Sequence, residues 1–387
     1  MAAPVPRDPV VERSAPAAFV YAPPLAEATL RPDHPLKPAR ARDCYELLRS
    51  IGVFDRGDVQ VVAPRPATVA DVVRVHTPDY VDLVRRLSDP VTASTVPAAE
   101  ALLYGLSAYG DTPPFAGMFE YHLLVSGASM ETLRLVDAGE VRCAFQPAGG
   151  ANHHAMPGRA SGFGVFNDAA IAIAGLRERG RRIMYLDLDV HHGDGVEAIF
   201  EQDDGVLTVS LHESTRTLFP GPKGGFPENI GTGRGAGYSV NVALAPYTGD
   251  ETWLWAFDEI VPPLYRAFAP DLLVVQLGAD GYYTDPLAHL LLTERAYEQA
   301  ARRLVELTGG RLAAVGGGGY DVQSTPRIWA IEFLVFAGLE VPDAWRRGPA
   351  PPPEVDARTR EEARRFAEQS VATIKRLVFP RHGITAN

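Results

Sequence analysis

Cysteine is nearly missing: Cys44 and Cys143 are the only two in 387 residues. That is too few for a disulfide framework and points to an intracellular, reducing setting. Basic clusters are missing as well. The formal net charge is −11, with no local run of Lys and Arg to offset it, so general binding to nucleic acid or to a membrane surface is not expected. No apolar run approaches the ~20 residues that a membrane span requires. The opening Met1-Ala-Ala-Pro-Val-Pro-Arg-Asp8 carries no apolar stretch, so no signal peptide is expected. A cytoplasmic protein follows. An apolar content of 46% argues against a disordered chain, and the 36 Gly and 33 Pro keep no collagen-like period. The length is enough for a large core, and α/β folds of this size often form one unit.

Residues 1–15 are rich in Pro and Ala and are expected to be flexible. Two helices are predicted between Pro64 and Leu87, one capped by Thr68 and one opened by Thr77-Pro78. The centre of the chain then alternates short apolar runs with helical segments, as in a parallel sheet wound by crossover helices. The predicted strands are Val141–Gln146, Arg182–Val190, Val206–His212, Asp271–Leu277 and Leu312–Val315. Helices are predicted over Asp168–Arg179, Trp253–Phe268 and Glu294–Thr308. The Gly/Pro-rich stretch from Ser214 to Gly237 is longer than ordinary connectors and reads as a functional loop or as disorder. After a break at Gly348–Pro353, an amphipathic helix places Ala363, Ala367, Val371, Ile374 and Leu377/Val378 on one face.

Each predicted strand runs into an unusual polar group. The first leads to Gly149-Gly-Ala-Asn-His153-His154, the second to Asp187, Asp189, His191, His192 and Asp194. The others lead to Ser210-Leu-His212, to Gly278-Ala-Asp280, and to Gly316-Gly-Gly-Gly-Tyr320. Ligands of open α/β sheets bind outside the carboxyl ends of the strands, so these segments meet at one edge. Asp187, Asp189 and, if the strand continues, His191 share one side by the period-two alternation of a strand. Two carboxylates in so apolar a run are costly unless paired or metal-bound. Carboxylate and imidazole are ordinary ligands of a divalent ion such as zinc, and a catalytic site needs a third ligand, for which Asp280 is the natural donor. The adjacent imidazoles His153 and His154 can divide acid and base work if carboxylates fix their tautomers, and Asp187 and Asp194 are available. The glycine run lacks the Lys-Ser/Thr of a phosphate loop. It reads instead as backbone pressed against a site, with Tyr320 as a donor to a developing oxyanion.

Together, Asp187-Leu-Asp-Val-His-His-Gly-Asp-Gly195, His153-His154, Gly-Ala-Asp280 and Gly-Gly-Gly-Gly-Tyr320 resemble the zinc-dependent histone deacetylase family. Its bacterial acetoin-utilisation-type members look closest, through His154-Ala-Met-Pro-Gly-Arg-Ala-Ser-Gly-Phe163. The resemblance runs from about His34 to Trp329. It implies an α/β, arginase/deacetylase-like single domain, with a central, mostly parallel sheet flanked by helices on both faces. The catalytic domain is expected over 16–347, with 348–387 a Pro-rich link and a helix packing on the same body. By resemblance, Asp189, His191 and Asp280 are the metal ligands, for zinc with ferrous iron as the alternative. His153 and His154 are the tandem pair, oriented by Asp187 and Asp194, and Tyr320 polarises the carbonyl. Phe163 and Phe219 wall the acyl-lysine channel, with Gly162 beside them and Leu287 as a further substrate contact. Asp111 is a rim aspartate, and Arg40 lies near an internal acetate exit. A structural potassium ion is implied at Asp187, Asp189, His191, Ser210 and Leu211, and a second near Phe200, Val206 and Tyr238. One departure stands out: the family writes Gly-Gly-x-His-His, and this chain carries an additional residue, Gly-Gly-Ala-Asn-His-His.

The chemistry expected is metal-assisted amide hydrolysis, with His154 as general base. The substrate is an acetylated or longer acylated lysine of a protein, or else an acetylated polyamine or other small amine. A non-catalytic acyl-lysine binder would have lost a ligand or Tyr320, and neither is lost. A binuclear ureohydrolase would need an Asp-x-His-x-Asp pattern, which is not found.

Overall fold

The computed structural model describes residues 17–28 and 30–385; the segment 1–15 expected to be flexible lies outside them. Eight strands form one sheet: β1 Ala17–Val20, β2 Val59–Val62, β3 Cys143–Gln146, β4 Ile183–Asp187, β5 Val206–Glu213, β6 Ser239–Leu244, β7 Leu272–Gln276 and β8 Leu312–Val315. All pairings are parallel, in the order β2-β1-β3-β8-β7-β4-β5-β6. Parallel sheets are covered on both faces, which is why runs such as Leu-Leu-Val-Val in β7 are continuously apolar. Alternation then sends Phe19, Met184 and Leu186 to one core and Val20, Ile183 and Tyr185 to the other. The first core is covered by helices Arg40–Ser50, Asp250–Phe268, Glu294–Thr308, Ser324–Ala337 and Ala357–Leu377. Helices Pro78–Ser88, Met118–Asp137 and Asp168–Arg177 cover the second.

The local signals behave as their chemistry dictates. Thr68 forms a capping box with Asp71, and Pro78 opens the helix that follows Thr77. The last helix buries Ala363, Ala367, Val371 and Ile374 and lies against β6 and helix Asp250–Phe268. Among the described residues no helix is long and apolar enough to cross a membrane.

Register is what assembles the site. Gln146 pairs with Val315, Val315 with Gln276, Gln276 with Asp187, and Asp187 with Ser210. Four of these strands, β3, β8, β7 and β4, thus end in one row at the centre of the sheet beside Ser210 of β5, and the segments that leave the row converge. One expectation needs correction here. The strand predicted to reach Val190 stops at Asp187. The Asp187 carboxylate accepts from the Asp189 amide at 3.1 Å, and the Asp189 carboxylate accepts from the His191 amide at 3.0 Å. These side chains take over hydrogen bonds the ladder would have supplied, and the backbone turns out of the sheet.

Candidate active site

Just beyond the row, one ligand atom each from Asp189, His191 and Asp280 lies within 4.8 Å of the others, all three residues being buried. His191 Nδ1 stands 3.1 Å from Asp189 Oδ1 and 3.0 Å from Asp280 Oδ2. The opposite oxygens are tied back. Asp189 Oδ2 accepts from Gln276 Nε2 and the Gly318 amide, both at 2.7 Å, and Asp280 Oδ1 accepts from the Val190 amide at 2.9 Å. One oxygen of each carboxylate is therefore held towards the imidazole. Burial works against charge on His191, yet the two carboxylates lift its pKa to about 10. Two buried carboxylates converging on one nitrogen fit a divalent cation, which balances their charge as a single proton cannot.

The glycines of 316–319 give this cluster its closeness. A Cβ on Gly318 would lie 1.9 Å from Asp280 Oδ2 and 2.8 Å from Asp189 Oδ2, so only glycine lets the backbone donate to Asp189 there. Gly162, at φ +50°, is equally constrained: a Cβ would meet His154 Cδ2 at 2.4 Å and Phe219 Cε1 at 2.8 Å.

The two imidazoles sit beside the cluster with ring centroids 4.1 Å apart. His153 Nδ1 faces Asp187 Oδ2 at 2.9 Å, and His154 Nδ1 faces Asp194 Oδ1 at 2.6 Å. Each carboxylate fixes the proton on Nδ1 and leaves Nε2 towards the site. Burial opposes charge on His153, but Asp187 and Asp189 overcome it and raise the pKa to about 9. Burial and then the neighbouring His153 push His154 down to about 4, against the pull of Asp194. The neighbouring charges and burial thus pull the pair in opposite directions, His153 towards the charged form and His154 towards the neutral one.

Tyr320 is half-buried, its ring 6.3 Å from His191 and 5.7 Å from Phe163. Burial, and next the carboxylates of Asp280 and Asp189, hold its phenol well above the usual range, so it remains a proton donor at neutral pH. Phe219 contacts His154 edge-on at 4.8 Å and is 38% exposed, while Phe163 packs on His34 at 4.8 Å. Both aromatics therefore reach the mouth of the site from separate loops. Asp111 Oδ2 accepts from the Gly162 amide at 3.3 Å. Arg40 is buried, donates to the Gly317 carbonyl at 3.2 Å and to the Gly319 carbonyl, and lies 5.0 Å from the Trp329 ring. Leu287 is half-buried, its amide on Asp285 Oδ1 at 2.9 Å. Ser210 Oγ faces His212 Nδ1 at 2.8 Å, and Leu211 is buried beside it in β5. Near the other expected potassium position, the Phe200 carbonyl accepts from Asp203 and the Tyr238 carbonyl from Thr208, each at 2.9 Å, with Val206 at the start of β5.

Several supporting residues escaped the sequence reading. Gln276 orients Asp189, Tyr185 donates to Asp187 Oδ2 at 2.8 Å, and Asp285 Oδ2 accepts from the Tyr320 amide at 2.7 Å. Gln276 closes an otherwise apolar strand, a polar terminus that was itself a signal, and Tyr185 shares a strand face with Asp187; Asp285 becomes legible only through its contact with Tyr320, far along the chain.

A central parallel sheet with a buried Asp/His/Asp cluster and a polarised histidine pair at its carboxyl edge defines a class, and sequence agrees with geometry. Residues 34–336 match the family model described as histone deacetylase domain, and the chain belongs to the histone deacetylase family. Among individual relatives, it is 39% identical over 337 residues to the acetoin utilization protein AcuC of Bacillus subtilis (strain 168), covering 84% of each chain. It is 36% identical over 297 residues to a probable deacetylase of Archaeoglobus fulgidus, covering 76% of this chain and 78% of that one. The crystal structure of a deacetylase homologue from Aquifex aeolicus matches with a TM-score of 0.80 at 28% identity, over 92% of this chain and 100% of that one.

Proposed function

We propose that this protein hydrolyses the amide of acylated lysine side chains in proteins, using one divalent ion held by Asp189, His191 and Asp280. The observation that carries the reading is the placement of this cluster beside the His154–Asp194 pair, at 2.6 Å, with Phe163 and Phe219 at the mouth. Zinc suits a two-oxygen, one-nitrogen donor set, with ferrous iron as the alternative. The ion supplies polarisation of the acyl carbonyl and acidification of a water.

The chain's own groups do the rest. Neutral His154 accepts the proton of the attacking water at Nε2 and later delivers it to the departing amine. Cationic His153 stabilises the negative charge that builds up. The Tyr320 hydroxyl donates to the developing oxyanion. The water oxygen bonds to the acyl carbon, the C–N bond breaks, and a carboxylate and a free lysine leave. Phe163 and Phe219 flank the alkyl stem, Gly162 gives it room, Leu287 lines its course, and Asp111 at the rim accepts backbone N–H groups. Arg40, buried and donating to the Lys37, Gly317 and Gly319 carbonyls beside the Trp329 ring, offers a cation to departing acetate. Potassium at Asp187, Asp189, His191, Ser210 and Leu211, and near Phe200, Val206 and Tyr238, completes the proposal as a structural ion.

A comparison of kcat/KM for acetyl-lysine peptides, longer acyl-lysine peptides and acetylated polyamines, with zinc and with ferrous iron, tests this reading. Peptides are expected to be the better substrates; a clear preference for polyamine would reassign the protein to small amines.

A further inference from the structure

Asn152 stands immediately before the histidine pair, and its surroundings give it a task. It is 4% exposed, and both ends of its carboxamide are engaged. Nδ2 donates to Asp168 Oδ1 at 2.9 Å, and Oδ1 accepts from the Val165 amide at 3.1 Å. Its own carbonyl accepts from the Ala155 amide at 2.9 Å, so the residue spans the turn that holds both histidines.

Asp168 anchors this turn. It is 1% exposed, and its partners among the described residues are the Ser129 hydroxyl, the Gly150 amide at 3.0 Å and the Asn152 carboxamide. None of these donors is cationic. A buried carboxylate served only by neutral donors depends on each of them. The neighbouring Asn167 adds a second grip: its Nδ2 donates to the carbonyls of His153 at 3.3 Å and Ala155 at 3.1 Å. Helix Asp168–Arg177 packs against helix Met118–Asp137, which carries Ser129. The loop is thus fastened to two packed helices immediately before, between and after the imidazoles. Gly150, at φ +78°, completes the fit, since a Cβ there would lie 2.4 Å from the Gly316 carbonyl oxygen.

We propose that Asn152 is a positioning residue, whose bridge between Asp168 and Val165 sets the orientation of the His153 and His154 imidazoles. This rests on the hydrolytic reading above, because its effect on rate passes through His154. Only a carboxamide meets both demands at once. A carboxylate at 152 cannot donate to Asp168, and an apolar side chain leaves both Asp168 Oδ1 and the Val165 amide without a partner. Exchanging the two groups restores the pattern. In the double variant, the new carboxamide at 168 donates to the new carboxylate at 152, while its oxygen still accepts from Gly150 and Ser129.

The experiment compares Asn152→Asp, Asp168→Asn and the double exchange with the parent protein, by steady-state kinetics on an acetyl-lysine peptide, elemental analysis and thermal unfolding. Downfield proton resonances of the His153 and His154 Nδ1–H groups supply a readout independent of turnover. Asn152→Asp is expected to lower kcat ~10- to 10²-fold, with KM within about twofold and metal content unchanged, as a small misplacement of a reacting group does. The resonances move with it, and the double exchange returns both rate and resonances towards the parent. Unchanged kcat and resonances in Asn152→Asp would overturn the proposal. So would a double exchange that folds yet recovers neither. If Asn152→Asp does not fold, Asp168→Asn against the double exchange makes the same comparison. A parent protein that hydrolyses no acylated amine would sink the hydrolytic reading, while the resonances still decide the role of Asn152.

Discussion

His154 and Asp194 face each other across 2.6 Å, Nδ1 to Oδ1, and this contact fixes which nitrogen of His154 is free to take a proton. Removing the acceptor charge while keeping the shape isolates that effect. Asp194→Asn is expected to lower kcat by ~10² or more, the scale of general-base assistance, with KM little changed. Stopped assays of acetate release would check it. A kcat near that of the parent would assign the proton to another group.

Tyr320→Phe is expected to keep the metal and the affinity for substrate while lowering kcat ~10²- to 10³-fold, because its hydroxyl acts on charge that develops only in the transition state. Turnover measured beside binding of an uncleavable substrate analogue separates the two effects. Near-normal turnover would make Tyr320 a packing residue against Phe163.

Asp111→Asn separates substrate classes. Its carboxylate accepts from the Gly162 amide at 3.3 Å, and the residue is exposed. With peptide as the substrate, turnover is expected to fall because backbone amides lose the charge and one of the two oxygens that accept them. A loss confined to acetylated polyamine would mean that the carboxylate meets a cationic amine instead. If neither substrate responds, Asp111 is not part of the rim.

Two buried histidines away from the metal cluster make stability depend on pH. His76 donates from Nδ1 to the carbonyls of Met156 at 3.1 Å and Pro157 at 3.3 Å, and its Nε2 accepts from the Asn167 amide at 2.9 Å. A second proton would meet that N–H head-on, and burial pushes the pKa down to about 4. Burial, with His76 nearby, pushes His122 to about 3. In the unfolded chain both return to ~6.5, so below that pH the unfolded state binds more protons than the folded one. Stability is full above ~6.5 and is lost as pH falls towards the folded values, by ~1.4 kcal/mol per pH unit for each histidine. His122→Phe is expected to reduce that slope by one histidine's share in urea unfolding between about pH 5 and 6.5. An unchanged slope would show that His122 does not stay neutral in the fold.

The strand that leads to the ligands was legible because Asp187 and Asp189 break an apolar run at period two, an expensive arrangement without a purpose. Where that strand ends was not legible. It stops at Asp187 because carboxylates capture the amides of Asp189 and His191, a competition that no periodicity encodes. Three strands escaped prediction. Ala17–Val20 and Val59–Val62 are four residues each and run into Pro-containing segments rather than a polar motif that would mark them. Ser239–Leu244 interleaves Ser and Asn with apolar residues although every position is buried. Asp285 and Asn152 act through partners well separated along the chain, Tyr320 and Asp168, so their spacing carried no message. His153, His154, Asp189, His191, Asp280 and Tyr320 were legible because each follows a strand end, and the register brings those ends into one row.

The central claim is that catalysis needs one divalent ion held by Asp189, His191 and Asp280. Asp280→Asn preserves the shape and the acceptor for the Val190 amide at 2.9 Å while removing a charged ligand. The decisive measurement is metal per chain by elemental analysis, paired with acetate release from an acetyl-lysine peptide, in parent and variant. The expected result is about one ion per parent chain, little in the variant, and hydrolysis lost in step with it while the chain stays folded. A variant with a full complement of metal, or a metal-stripped parent that still turns over, would contradict the account.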